Sequence, residues 1–160
     1  MKILEQMTVK DACDLREEDP ILVRMEDEIS LVIENFSRRD ELKGIFVVDD
    51  DDRFLGVITR TDLFDWARVK FGAYFLKPLA DPDKTLRLIN LINASTVGDM
   101  LRRETMKSTV LAEDSLAHAL KVMIETDLII LPVIDESNHI IGNLTISELL
   151  NMVVISECME

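Results

Sequence analysis

Gly56-Val57-Ile58-Thr59-Arg60-Thr61-Asp62-Leu63 returns later in the chain as Gly142-Asn143-Leu144-Thr145-Ile146-Ser147-Glu148-Leu149. Both octets read Gly-x-x-Thr-x-x-acid-Leu. Each follows a short apolar run that ends in an aspartate, and Asp49 stands seven residues before Gly56 as Asp135 does before Gly142. An internal repeat decides the fold, because each copy is then one supersecondary unit that must bury a face against its partner. It also points away from a single catalytic centre and towards a module with two related sites.

Working outward, each copy reads strand, helix, strand, strand, helix, which makes the class α+β. Ile45-Phe46-Val47-Val48 is a continuous β-branched and aromatic run, the pattern of a buried strand. Asp49 to Asp52 makes a turn and Phe54 to Ile58 returns. Upstream, Ile29, Val32, Ile33 and Phe36 share one helical face, Asp27 is the predicted N-cap, and Ile21 to Val23 is a short strand after Pro20. The second copy keeps the order. Thr109 to Leu111 is the short strand, and Leu116, Ala119, Leu120 and Met123 form a helical face capped by Asp114 or Ser115. Ile129 to Ile134 is the buried strand, Glu136-Ser137-Asn138 the turn, and Ile140 to Leu144 the return. Closing helices are predicted from about Thr61 to Lys70 and from about Ser147 to Val154.

Thr8-Val9-Lys10-Asp11 and Thr96-Val97-Gly98-Asp99 lead into the two copies, the first of which is two residues longer between lead-in and paired strands. The first repeat is drawn over 1–70 with its lead-in and the second over 94–160. The connection at 71–93 has no counterpart in the repeat. Pro78 and Pro82 interrupt it, and Leu86 to Ile92 reads as a short helix; its length implies that it packs on something.

The chain of 160 residues is 48% hydrophobic but only 5% aromatic, so its core must be built mostly from Leu, Ile, Val and Met. The net charge of −13 leaves no clustered basic surface for nucleic acid or an anionic membrane. Small anionic ligands stay open, because a local basic pocket can override the global field. Cys13 and Cys158 lie far apart, which suggests reduced thiols rather than a metal knuckle or disulfide framework. The start Met1-Lys2-Ile3-Leu4-Glu5-Gln6 is not a signal peptide, and no segment is apolar enough to span a membrane. A cytoplasmic protein is expected.

The element order, the run Leu131-Pro132-Val133-Ile134-Asp135 and the Gly-x-x-Thr-x-x-acid close of each copy resemble cystathionine-β-synthase (CBS) domains. The tandem resembles a Bateman module from about Thr8 to Val154. The resemblance implies two repeats packed through their sheets about a pseudo-two-fold axis. It implies clefts that hold adenosine-containing ligands, and pairing of modules into dimers. Two positions depart from it: Phe46 stands where the family often has proline, and Glu148 where the nucleotide-binding pattern has aspartate.

An ionised aspartate is an acceptor-only group suited to a ribose diol, and a threonine hydroxyl and open N–H groups at a helix start suit a phosphate. Arg60 could add a charge-assisted contact. By resemblance, Thr59 meets phosphate or ribose, Asp62 meets ribose, and adenine lies between the strand start near Val23 and the backbone near Ile45. Thr145 and Glu148 are the counterparts in the second copy. A structural reading competes, since Thr-x-x-Asp and Thr-x-x-Glu are also capping boxes; the longer Glu148 would crowd a ribose. Arg38, Arg39, Lys43, Arg53 and Arg60 lie in the first copy, against Lys121 and His139 in the second, with Ile146 in the Arg60 position. That supply suggests a ligand with few phosphates, such as AMP, or an uncharged or cationic adenosyl group.

Asp49-Asp50-Asp51-Asp52 lacks EF-hand spacing and reads as a solvated turn rather than a metal site. Asp114, Ser115 and His118 sit in one helical turn and do not make a triad. Trp66 packs its helix on a neighbour or a dimer partner. The expectation is a non-enzymatic regulatory module that needs no cofactor or metal. It binds AMP, ADP, ATP or S-adenosylmethionine as a regulatory ligand, forms a homodimer and signals to an effector protein on another chain. The alternatives are a ligand-free dimerisation or protein-interaction module, and a small enzyme acting on nucleotides, for which neither nucleophile nor metal cluster is evident.

Overall fold

A computed structural model describes residues 2–13, 20–72 and 82–158. The elements are α1 (Lys2–Gln6), α2 (Val9–Ala12), β1 (Leu22–Arg24), α3 (Ile29–Arg38), β2 (Ile45–Val48), β3 (Phe54–Ile58), α4 (Arg60–Phe71) and α5 (Pro82–Leu91). They continue with α6 (Val97–Met100), a 3-10 helix (Arg103–Lys107), β4 (Val110–Leu111), α7 (Leu116–Thr126), β5 (Ile130–Ile134), β6 (Ile140–Thr145) and α8 (Ile146–Cys158). Two three-stranded sheets result, β1-β2-β3 and β4-β5-β6. In each the first pair is parallel and the second antiparallel. Val47 pairs with Gly56 and Val133 with Gly142, so the two octets occupy equivalent registers.

The hairpin turns are equivalent for a reason local to the aspartate. Asp49 Oδ1 accepts the N–H groups of Asp51 and Arg53, both at 2.9 Å. Asp135 Oδ1 accepts those of Ser137 at 2.8 Å and His139 at 3.0 Å. Asp52 and Asn138 then adopt φ of 60° and 65°, the left-handed conformation that short polar side chains tolerate.

Strand alternation divides the core. Ile45, Val47 and Ile58 face Val23, Val32 and Phe36. Phe46, Val57 and Phe54 turn the other way and join Val110, Leu131, Val133 and Leu144 of the second copy. The two sheets therefore share a buried seam, in which Phe46 and Phe54 meet edge-on at 6.4 Å. The Phe46 N–H donates to Ile21 O at 3.1 Å. Pro132, its counterpart, has no N–H to give, and the parallel pairing of β4 starts only at Val110 opposite Val133.

The lead-in segments are exchanged. Val9 and Lys10 of α2 donate to Asp114 O and Ala112 O of the second copy at 2.9 and 3.0 Å. Val97 and Gly98 of α6 donate to Asp27 O and Met25 O of the first, both at 2.8 Å. Val9 is buried in the second core and Val97 and Met100 in the first. The unrepeated connection supplies α5, whose Leu91 is buried in the first core. Pro78 lies outside the described residues.

Several local expectations shift. Glu28, not Asp27, is the N-cap of α3, because Asp27 Oδ2 accepts the Arg24 N–H at 2.8 Å and closes the turn after β1. Asp114 does the same for Leu111 at 2.8 Å, which leaves Ser115 to cap α7. Ile33, at the edge of its helical stripe, is 36% exposed while Ile29, Val32 and Phe36 are buried. The helices at α4, α5 and α8 each begin one or more residues before the predicted start. Trp66 packs within the chain, against the first core and edge-on to Phe71 at 6.0 Å.

Candidate functional site

β3 runs directly into α4, and the junction residue Thr59 is extended, as an N-cap requires. Its N–H donates to Asp62 Oδ2 at 2.8 Å and its hydroxyl to the same oxygen at 3.1 Å. The other carboxylate oxygen faces two arginines. Arg87 Nη2 of α5 donates to Asp62 Oδ1 at 3.1 Å and to Met100 O at 2.6 Å. Arg102 Nε stands 2.8 Å from the same oxygen as an ion pair, without its N–H aimed at it. Asp62 is 1% exposed, and the side chains of Arg87 and Arg102 are 18% and 19% exposed. One carboxylate thus meets two guanidiniums, and the charge of Asp65 also acts on Arg87. Burial lowers the pKa of Arg87, and the charge of Asp62 opposes that shift.

The Thr-x-x-acid turn occurs four times. Thr8 donates its N–H to Asp11 at 2.8 Å, Thr96 to Asp99 at 3.1 Å and Thr145 to Glu148 at 2.7 Å. Asp11 and Asp99 are exposed and Glu148 is half-buried. Among the described residues, only Asp62 of these four acids is paired with arginine.

The remaining sequence-derived residues scatter. Arg60 turns away from Asp62. Its Nη2 donates to Arg39 O at 2.8 Å and Phe36 O at 3.1 Å, and its guanidinium lies 4.8 Å from the Phe36 ring centre. It therefore caps the carbonyl end of α3. Val23 and Ile45 are core residues, 3% and 0% exposed. The hollow beside them, lined by Ile21, Leu42, Gly44, Phe46 and Ile130, holds about 50 Å³. Thr145 and Glu148 close their own cap. Arg38 pairs with Glu34 at 2.6 Å, Lys121 with Glu125 at 3.7 Å, and His139 Nε2 meets Asp51 O at 3.0 Å.

An open cleft of about 980 Å³ lies between α4, α5 and the 3-10 helix, with Arg68, Arg87, Arg102 and Arg103 on its walls beside Asp62, Asp65, Asp83, Asp99, Glu104 and Asp127. It offers acceptors from several carboxylates and donors from several guanidiniums. Arg87 and Arg102 were missed by sequence reasoning. Arg87 lies in the stretch without a repeat and Arg102 just beyond a lead-in, and no periodicity links either to Asp62. Among the described residues, no cluster of His, Cys, Asp or Glu is placed to hold a metal ion, and no helix is long and apolar enough to cross a membrane.

The family model of the CBS domain matches this chain twice, over residues 9–68 and 97–155. No curated protein is similar in sequence. CBSX2 in complex with AMP has a TM-score of 0.71 at 21% identity, covering 94% of this chain and 98% of that one. A CBS-domain-containing protein from Thermotoga maritima has a TM-score of 0.69 at 23% identity, covering 90% and 92%. The CBS domain pair of protein MJ0100, in complex with 5′-methylthioadenosine and S-adenosyl-L-methionine, has a TM-score of 0.63 at 15% identity, covering 94% and 98%. At these identities the likeness is one of fold.

Proposed function

The chain belongs to the CBS domain family, and on that premise we propose that it is a non-enzymatic regulatory module binding an adenosine-containing ligand beside Thr59 and Asp62. One observation carries this reading. The first octet keeps aspartate at the helix start and sets it against Arg87 and Arg102, so an acceptor for a ribose diol and donors for a phosphate stand together. The second octet has Glu148, so the first repeat is the preferred site. Binding shifts the packing of the repeats, or of a homodimer, to the extent that the ligand prefers one arrangement, and an effector protein senses that change. Its cysteine usage fits a reducing, cytoplasmic setting. The neighbours solved with AMP and with S-adenosyl-L-methionine guide the choice of ligands to test. A preference for few phosphates loses its sequence ground, because two arginines absent from that reasoning stand at Asp62.

A second reading has its own support. Both oxygens of Asp62 are already engaged within the chain, as in a ligand-free dimerisation or protein-interaction module. Thermal unfolding with millimolar AMP, ADP, ATP or S-adenosylmethionine separates the two. A ligand at about 100 times its Kd adds about 2.7 kcal/mol to the native state, a shift of several degrees at this size. A selective rise that is lost in Asp62→Asn is the expected result. No rise with any of the four favours the interaction module.

A further inference from the structure

Asp62 presents a conflict that its neighbours define. A ribose diol needs carboxylate oxygens to accept its two hydroxyls. In this structure Oδ2 is taken by Thr59, Oδ1 by Arg87 and Arg102, and the side chain is 1% exposed. The Thr59 contacts belong to the helix cap and can persist. The hydrogen bond from Arg87 must yield before the outer oxygen can accept one from a ligand.

Of the two arginines, Arg87 is the one that donates a hydrogen bond to Asp62, whereas Arg102 Nε does not aim its N–H at it. Arg87 lies mid-helix on α5, whose Leu88 and Leu91 pack on the first core while Leu86 and Ile89 are 58% and 56% exposed. The same Nη2 that reaches Asp62 also donates to Met100 O at 2.6 Å, in the lead-in segment of the second repeat. A single guanidinium therefore ties α4 of the first repeat to α6 of the second.

Accepting the adenosyl site proposed above, we infer that Arg87 is an internal competitor for it: ligand binding at Asp62 and the Arg87–Asp62 contact exclude one another. The protein binds only from the fraction of molecules in which Arg87 has swung away, and its apparent affinity is reduced by that fraction. Displacing Arg87 also loosens the tie to Met100. Ligand occupancy then acts on the packing of α5 and of the exchanged lead-in, giving the signal a defined starting point.

Adenosine is the cleanest probe, since it has no phosphate for Arg87 to grasp. In calorimetric titration of the full chain, Arg87→Gln is expected to bind adenosine about tenfold more tightly than the unaltered protein, within the usual range of a coupling free energy. Arg87→Lys, which keeps the charge but loses the fork, should fall between them. Hydrogen exchange on the unaltered chain gives a test independent of any variant's folding: saturating adenosine should speed exchange of the amides over 82–91. Unchanged or weaker adenosine binding in Arg87→Gln overturns the inference, as does protection of 82–91. In both cases the adenosyl site itself survives, because binding is still observed. If neither adenosine nor AMP binds to the unaltered chain or to Arg87→Gln, the proposed site fails and the inference fails with it.

Discussion

Asp62 and Asp99 share the Thr-x-x-Asp spacing and have different surroundings in space. Both accept the N–H of a threonine three residues earlier, at 2.8 and 3.1 Å. Asp99 does so in solvent, whereas Asp62 also pairs with two largely buried arginines. Removing Asp99 should cost what a cap usually contributes, about 1 kcal/mol. Removing Asp62 leaves two guanidiniums uncompensated, and a buried pair broken from one side costs about 3 kcal/mol. Urea unfolding of Asp62→Ala and Asp99→Ala checks this, and equal losses would refute the difference in role. The Thr-x-x-acid spacing was legible as a cap in the two octets, whereas the lead-ins were legible only as matching segments. Which cap is buried beside arginine was not, because that depends on α5 and on Arg102 beyond α6.

At the scale of elements, short-range chemistry governs. The β2 and β3 strands begin and end where the apolar runs do, because Asp49 supplies its own turn contacts. β4 is shorter than β1 for want of one N–H at Pro132. The end of α7 is less well served. Asp127 closes it at φ 54°, a conformation that disfavours side chains, and adds a negative charge at the negative end of the helix. Asp127→Gly relieves both and should raise stability by up to about 1 kcal/mol, read as a higher urea midpoint. Gly56 shows the opposite constraint. A Cβ there would collide with the Leu101 side chain and come within 2.9 Å of Thr105 Oγ1, the group that accepts the edge N–H of Val57 at 3.2 Å.

For the whole molecule, acid is the informative stress. Asp49 and Asp135 are held below the usual carboxylate range chiefly by the backbone N–H groups of Arg53 and His139. Asp11 and Asp99 are lowered chiefly by those of Thr8 and Ser95. A carboxylate lowered in the native state contributes stability that is complete above its unfolded pKa and lost as the pH falls through its folded one. The Tm should therefore be level above about pH 5 and decline below about pH 4, where these groups take up protons. The double variant Asp49→Asn and Asp135→Asn should show a shallower decline. An identical acid limb would mean that the hairpin carboxylates are not what the native state loses.

The sequence by itself determined the repeat, the α+β order of each copy and the capping boxes of the two octets. All of these rest on contacts between residues a few positions apart, or on a two-residue alternation of apolar side chains. Only the tertiary structure decided that the lead-in segments cross over, that Phe46 and Val57 face the second repeat, and that Arg60 turns away from Asp62 while Arg87 and Arg102 reach it. Those outcomes depend on which surfaces are left to be buried once two similar units meet. An exposed turn and a buried one can carry the same Thr-x-x-Asp spacing.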